Sequence, residues 1–492
     1  MKPLPKYPVI YEINTWVWLH ELSVKYHTLI TLKSVPEEEW DAIGALNVDA
    51  VWFMGVWERS PAGIDIANKN EGLLTDFRRA LPDYRTEDNV GSPYCVHQYE
   101  IDGRLGSREG LAVARQELAR RGIRLILDFV PNHVAPDHPW VTDHPEYFIH
   151  GDTEDLSREP ASFRERGGRV FACGRDPYFP AWPDVLQLNA FHPGLRNAVA
   201  ETLGDIAGQC DGIRCDMAML LLNNIFERTW GLRAGTRPTT DYWPEIIPAI
   251  KRKNYNFKFI AEAYWDMEWV LQQQGFDYCY DKRLYDRLEH ENAKSVMGHL
   301  SADLDYQEKL VRFIENHDEP RAAGVFTPEK ERAAAVLVAT LPGATLFHEG
   351  QFEGRKARLP VFLGRRPKES ADRTLQDFYY KLLEAVKPDV FRNGEWQNCE
   401  QTGWPDNQSY TNLIAWCWVK NDDRYLIIVN LSDIQSQGNI KLPWYGLQGT
   451  TWQLVDVLAD LTYERSGNDM LHPGLYVDLI PWGFHFFRLM FL

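Results

Sequence analysis

The sequence is short of positive charge. Lys and Arg number 53 against 70 Asp and Glu, a formal net charge of −17 at neutral pH. A surplus of that sign repels the phosphates of nucleic acid and anionic membrane surfaces, so neither is expected as a partner. Long apolar runs are missing too: nothing approaches the roughly 18 residues of a membrane span. The opening Met1-Lys2-Pro3-Leu4-Pro5 leads into a strand-like segment, with no run that reads as a signal peptide. Cysteine is sparse and scattered, at positions 95, 173, 210, 215, 279, 399 and 417, with no CxxC spacing. An odd number of thiols without a secretion signal points to reduced cysteines and a cytoplasmic location. There is no Asp-rich EF-type loop. Gly103-Arg104-Leu105-Gly106 lacks the Lys-Ser/Thr that a phosphate loop requires.

What is present is length and aromatic rings. At 492 residues and 44% hydrophobic content the chain exceeds one ordinary domain, and two or three are expected. The 18 Trp and 22 Tyr supply amphipathic rings of the kind on which the apolar face of a pyranose lies.

Apolar runs recur along the first three quarters of the chain. Val9 to Asn14, Ala50 to Met54, Leu125 to Val130 and Gly212 to Asp216 read as the first four strands. Phe257 to Ala263, Phe276 to Tyr280, Leu310 to Ile314 and Ala344 to Phe347 read as the next four. Helical periods separate them: Pro36 to Leu46, Arg108 to Arg121, Asn197 to Gln209 and Lys330 to Thr340. Eight strands alternating with helices predict a closed parallel (β/α)8 barrel.

One connection is too long for that plan. Val134 to Phe191 is rich in Pro, Gly, Asp and Arg with few periods of either kind, and reads as a functional insertion beside the barrel mouth. After a helix at Leu375 to Val386, alternating strands at Leu413–Val419, Tyr425–Leu431, Thr451–Val457 and Phe484–Phe491 predict an antiparallel β domain. The expected division is barrel at 1–133 and 192–390, inserted subdomain at 134–191, and C-terminal β domain at 391–492.

The strand ends carry the chemistry. Asp128 and Asn132-His133 follow the third strand, Arg214 and Asp216 the fourth, Glu262 the fifth, and Asn316-His317-Asp318 the seventh. In a parallel barrel these C-terminal ends converge on one cavity. Arg214 and Asp216 share a face through the period-two alternation of a strand, so the guanidinium is placed to hold the carboxylate ionised. Cys215 points the other way. Retaining glycoside hydrolysis needs one carboxylate to attack the anomeric carbon and one carboxylic acid to protonate the leaving oxygen. Asp216 beside Arg214 suits the first role. Glu262, flanked by Ile260, Ala261 and Ala263, suits the second, because burial raises its pKa. Asp318 is placed to hold sugar hydroxyls and stabilise positive charge.

Read together, DFVPNH (128–133), GIRCD (212–216), AEAYW (261–265) and ENHD (315–318) resemble the alpha-amylase family of retaining α-glucoside-active enzymes. Gly91-Ser92-Pro93-Tyr94, Asp137-His138-Pro139-Trp140 and Gln187-Leu188-Asn189 add to the likeness. The resemblance implies Asp216 as nucleophile, Glu262 as general acid/base and Asp318 as transition-state stabiliser. It also implies that Arg214 positions Asp216, that His133 and His317 bond hydroxyls of the sugar being cleaved, and that Tyr94 stacks under its ring. Asp128 completes the substrate-binding set as a neighbour within the site. Asn132 matches a position that helps bind calcium in many members; no cofactor is otherwise implied.

One departure is informative. Where amylases of the family often carry Lys-His after the nucleophile, Met217 to Leu222 reads Met-Ala-Met-Leu-Leu-Leu. The polar contacts on the leaving-group side are lost. The expected partner is an α-linked glucose oligo- or polysaccharide, cleaved by double displacement. A transglycosylase, isomerase or phosphorylase, in which a sugar hydroxyl or phosphate replaces water, stays open. So does a non-catalytic carbohydrate-binding scaffold, although a scaffold has no need of three convergent acids.

Overall fold

Alternation decides what fills the barrel. In Ala50–Met54, Ala50, Trp52 and Met54 join one buried cluster with Ile10, Ile126, Ile260, Val311 and Leu346, while Val51 and Phe53 join the larger core. The first set fills the lumen and the second packs under the surrounding helices, because successive side chains leave a strand on opposite faces. The structure is a computed structural model that describes residues 3–491. Its eight barrel strands are β1 (Val9–Asn14), β2 (Ala50–Met54), β3 (Arg124–Phe129), β4 (Gly212–Cys215), β5 (Lys258–Ala261), β6 (Tyr278–Tyr280), β7 (Leu310–Arg312) and β8 (Ala344–His348). Each pairs in parallel with its sequence neighbours, and β1 pairs with β8 to close the ring.

The helices start and stop where local chemistry says. Pro193–Gln209 opens with Pro193 at a position where no N–H is needed, and the His192 ring accepts from Leu195 N–H. Pro328–Thr340 opens the same way, with Thr327 accepting from Lys330 N–H.

Two excursions leave the barrel mouth. The insertion after β3, expected to hold little regular structure, contains a four-stranded antiparallel sheet: His133–Val134, Trp182–Gln187, Arg169–Gly174 and Phe163–Arg166 in spatial order. Its strands run to at most six residues, too short for an alternation to stand out from their Pro- and Gly-rich flanks. A second excursion, between β2 and the helix at Ser107–Arg120, holds the antiparallel pair Trp57–Arg59 and Val96–Ile101 and the helices Pro61–Ala67 and Glu71–Ala80.

The C-terminal sheet has eight strands: β9 (Glu395–Thr402), β10 (Leu413–Lys420), β11 (Asp423–Asn430), β12 (Ser436–Lys441), β13 (Thr451–Asp456), β14 (Leu461–Ser466), β15 (Leu475–Leu479) and β16 (Phe484–Phe491). Their order across the sheet is β14-β13-β16-β11-β10-β9-β12-β15. Four were not visible as alternating runs. β9 reads EWQNCEQT and β14 reads LTYERS, amide- and charge-rich sequences that their partners order. Trp416 and Trp418 of β10 both donate their indole N–H to Thr340 O, at 2.9 and 2.7 Å, fastening the sheet to the barrel. All seven cysteines are buried and free, and among the described residues no helix is long and apolar enough to cross a membrane.

Candidate active site

Register sets the site. β4 and β5 pair with Arg214 opposite Ile260 and Cys215 opposite Ala261, so the next residues, Asp216 and Glu262, leave the two strands side by side. Both backbones are still tied to the barrel, Asp216 N–H to Phe129 O and Glu262 N–H to Cys215 O. Arg214 lies fully buried beneath them. Its Nη1 donates to Asp216 Oδ1 at 2.8 Å, and its Nη2 lies 2.8 Å from Glu262 Oε2. The guanidinium is ringed by Trp52, Tyr94 and Tyr280, with centroids 5.4, 5.1 and 5.6 Å away. A cation so enclosed cannot move to follow one carboxylate. Cys215 faces the outer core, as its place in the alternation requires.

Glu262 is bonded at both oxygens. Tyr264 donates its hydroxyl to Oε1 at 2.9 Å, and the backbone N–H of Met217 donates to Oε2 at 2.6 Å. Met217 reaches that position in a left-handed conformation, φ 42°, which a non-glycine residue adopts at a cost of about 1–3 kcal/mol. Burial lifts the Glu262 carboxyl to about 7; Arg214 opposes the shift, and the charges of Asp216 and Asp318 add to it. Burial also raises Asp216, with Arg214 pulling against it. The pair titrates as a unit, and Arg214 cannot balance two charges as well as one. Glu262, at about 7, is the acid of the pair, although the Met217 N–H bonded to its Oε2 pulls its pKa down.

Asp318 belongs to a separate chain of charges. Its Oδ2 lies 2.9 Å from His317 Nε2, and His317 Nδ1 bonds the fully buried carboxylate of Glu12. Burial alone would lower the His317 pKa; Asp318 and Glu12 overcome it and hold the imidazole well above its ordinary value. The charged ring in turn keeps Asp318 low against its own desolvation. Tyr94 stacks on His317 with its hydroxyl 2.6 Å from Nε2. Asn316 Oδ1 accepts from the N–H groups of Asp318 and Glu319, which fixes the turn. Beneath it, Glu315 bonds Arg321 and His348, so His348 braces this turn as well as ending β8.

A cleft of about 720 Å³ opens over these groups. Tyr94, His133, Asp216, Glu262 and Asp318 line it together with Trp182, Phe179, Met217 and Tyr264. His133, from the end of β3, is buried against Trp182 at 5.2 Å; burial lowers its pKa to about 4, so it is neutral. His317 and Asp318 also line an adjoining cavity with Leu73 and Arg358. Asp128 sits elsewhere: it is wholly buried below the cleft, accepting from Gly55 N–H at 3.0 Å with Arg214 at 4.0 Å. Of the apolar run after the nucleophile, Met217 alone reaches the cleft, and Ala218 to Leu222 pass into the core.

Asn132 does not fit a metal. Gln187 Nε2 donates to Asn132 Oδ1, Asn132 O and Leu188 O, at 2.9, 2.9 and 3.0 Å. The acceptor oxygens a calcium ion would use are taken by that amide. Among the described residues no group of three His, Cys, Asp or Glu is arranged to hold a metal ion.

Sequence reasoning missed Glu12, the Met217 N–H and Leu73 of the second excursion. The signal for Glu12 was a single acid in the apolar strand Val9-Ile10-Tyr11-Glu12-Ile13. The others carry no signal: a backbone donor has no residue type, and Leu73 reads as an ordinary helix position.

Known proteins share this plan. The chain is 26% identical to Alpha-amylase MalA of Haloarcula japonica over 77% of its own length, and spans about half (48%) of that protein. It is 22% identical to the alpha-1,4-glucan:maltose-1-phosphate maltosyltransferase of Picrophilus torridus, across 80% of this chain and 59% of that one. The crystal structure of the noncanonic maltogenic alpha-amylase AmyB from Thermotoga neapolitana superposes over 99% of both chains with a TM-score of 0.68 at 18% identity, a likeness of fold. The alpha amylase catalytic-domain model matches residues 38–425, which take in all the cleft residues named above. The chain therefore belongs to the alpha-amylase family, a family of glycoside hydrolases and glucan-active transferases.

Proposed function

We propose that this enzyme cleaves α-glucosidic bonds of maltodextrin-like chains by double displacement. The observation that carries the reading is the register of Asp216 and Glu262 on neighbouring strands over one shared guanidinium. Adjacent strands lie about 4.8 Å apart, close to the roughly 5–5.5 Å carboxyl spacing of retaining enzymes and short of the roughly 6.5–9.5 Å of inverting ones. In the first step Asp216 bonds to the anomeric carbon, the bond from that carbon to the leaving oxygen breaks, and Glu262 gives that oxygen its proton. In the second, water gives a proton to Glu262 while its oxygen displaces Asp216. Asp318 and charged His317 hold the sugar hydroxyls, and Tyr94 supports the ring.

A second reading keeps the first step and changes the acceptor. Beside the acids the cleft offers Met217, Phe179 and Trp182, rings and a thioether, together with Asp184 of the same insertion. Such a wall can hold the apolar face of an incoming sugar in place of water, which is what transfer to a sugar hydroxyl requires. The free thiols suit a reducing compartment such as the cytoplasm, and the Asn132–Gln187 bond suits an enzyme that works without calcium.

Proton NMR of the anomeric signals tests the reading. An α-linked oligosaccharide should release α-configured product in the first minutes. Early β-anomer would mean that Asp216 activates water and never bonds to the sugar. A rising population of longer oligosaccharides in the same sample would favour transfer.

A further inference from the structure

The fold treats the two oxygens of Glu262 differently. Oε2 is enclosed. The Met217 N–H donates to it at 2.6 Å, and Arg214 Nη2 lies 2.8 Å away as an ion-pair contact without hydrogen-bond alignment. A proton on Oε2 would meet a backbone donor and a cation, neither of which can accept it. Oε1 has a single hydrogen-bonded neighbour among the described residues, the Tyr264 hydroxyl at 2.9 Å. Tyr264 lines the cleft with the acid. The next two residues, Trp265 and Asp266, both have φ 61°, a left-handed conformation that non-glycine residues keep only where their surroundings impose it. Here Arg283 holds the Asp266 carboxylate with two nitrogens, and the Tyr178 ring packs edge-on against Trp265 at 4.8 Å. The turn is pinned, and Tyr264 with it.

We propose that Glu262 exchanges its proton through Oε1, and that Tyr264 is a positioning residue that aims this oxygen and steadies it once it is bare. Both roles rest on the double displacement proposed above. In the first step the Oε1–H bond breaks toward the leaving oxygen and its electron pair stays on Oε1. The Tyr264 O–H bond stays whole, and its hydrogen bond strengthens because the acceptor is now charged. In the second step the proton from water returns to the same oxygen. Burial holds the Tyr264 phenol well above its ordinary value, so it does not ionise in place of the acid. The other charged or titratable groups facing the pair are Arg214 and Asp216 from β4, Tyr280 from β6, and Asp318 and Glu319 after β7. None of them reaches Oε1 with a hydrogen bond among the described residues.

Tyr264→Phe tests both roles, since it removes the hydroxyl and keeps the ring. Two measurements are made on the full chain. One is the pH dependence of kcat/KM on maltoheptaose, whose leaving sugar needs a proton, and on α-maltosyl fluoride, whose leaving anion does not. The other is the titration of the Glu262 carboxyl by 13C NMR, assigned by the signal missing from Glu262→Gln; it needs no substrate. Without the hydroxyl the carboxylate loses a donor, so the titration and the alkaline limb on maltoheptaose should both rise by about one pH unit. At pH 6, below the limb, kcat/KM on maltoheptaose should fall about tenfold, and on the fluoride at least about fivefold less. An unmoved or lowered titration would overturn the part given to Tyr264. Equal losses on both substrates would do the same, as the mark of a residue that only shapes the cleft. A raised titration in a protein that releases β-configured product first, or cleaves no α-glucan, would uphold the hold of Tyr264 on this acid and remove the double displacement.

Discussion

The two sides of the cleft are built differently. One side comes from strand ends: Asp216, Glu262 and Asp318 are all held by at least one charged or hydrogen-bonding partner, and Arg214 and His317 join them into networks. The other comes from the insertion and from the residue after the nucleophile: Phe179, Trp182, Val185 and Met217 line the cleft, with Asp184 as an acid among them. A strand end fixes a side chain to within the register of the sheet, which reaction chemistry needs. A loop surface fixes shape and wetness only, which is enough to choose what enters. On the proposed reaction, the first side would carry the bond cleavage and the second would shape what enters.

The largest effect should come from the polar side. Asp216→Asn and Glu262→Gln should each lower turnover about a thousandfold or more, with the melting temperature little changed. A variant that keeps a tenth of the activity would move its residue out of the reaction. Next is pH. Glu262 acts first as an acid, so it must carry its proton, and its carboxyl titrates at about 7. Below that value the acid is present; above it kcat/KM should fall about tenfold per pH unit. The limb should disappear from the residual activity of Glu262→Gln measured with a substrate whose leaving group needs no proton.

The apolar side should give smaller changes of another kind. Phe179→Ala or Trp182→Ala should shift the ratio of transfer to hydrolysis about two- to tenfold, the worth of one stacking contact. Their cleavage rate with an activated leaving group should stay within a factor of two or so. Equal losses in both would erase the distinction between the two sides. The smallest effect should follow EDTA, which should leave activity and melting temperature unchanged because Gln187 already bonds the Asn132 oxygens. A fall in melting temperature restored by calcium but not magnesium would show ligands elsewhere.

These asymmetries also explain what could be read from the sequence. Strand ends were legible because an apolar run that stops at an acid is a local pattern, seen at the third, fourth, fifth and seventh strands; the other four read as apolar runs alone. Glu12 was hidden because its partner, His317, is 305 residues away. Asp128 looked like its neighbours along the chain; the depth of its place on β3 puts it under the cleft, and depth is set by the tilt of strands that no short window contains. The apolar stretch 217–222 misled by continuity, since one turn in a left-handed conformation at Met217 sends the rest into the core. Polar strands such as β9 are strands only because β10 and β12 flank them.

The shared guanidinium has a consequence for the timing of the proposed reaction. When Asp216 becomes an ester it loses a negative charge, and at the same moment Glu262, giving up its proton, acquires one. The charge next to Arg214 is therefore the same before and after: it has crossed from one terminal nitrogen to the other, a shift of a few ångströms around a fixed cation. A protein interior responds sluggishly to a new charge but need not respond to one that has merely changed sides. The second step reverses the crossing, and the enzyme returns to its starting state without its surroundings having had to follow.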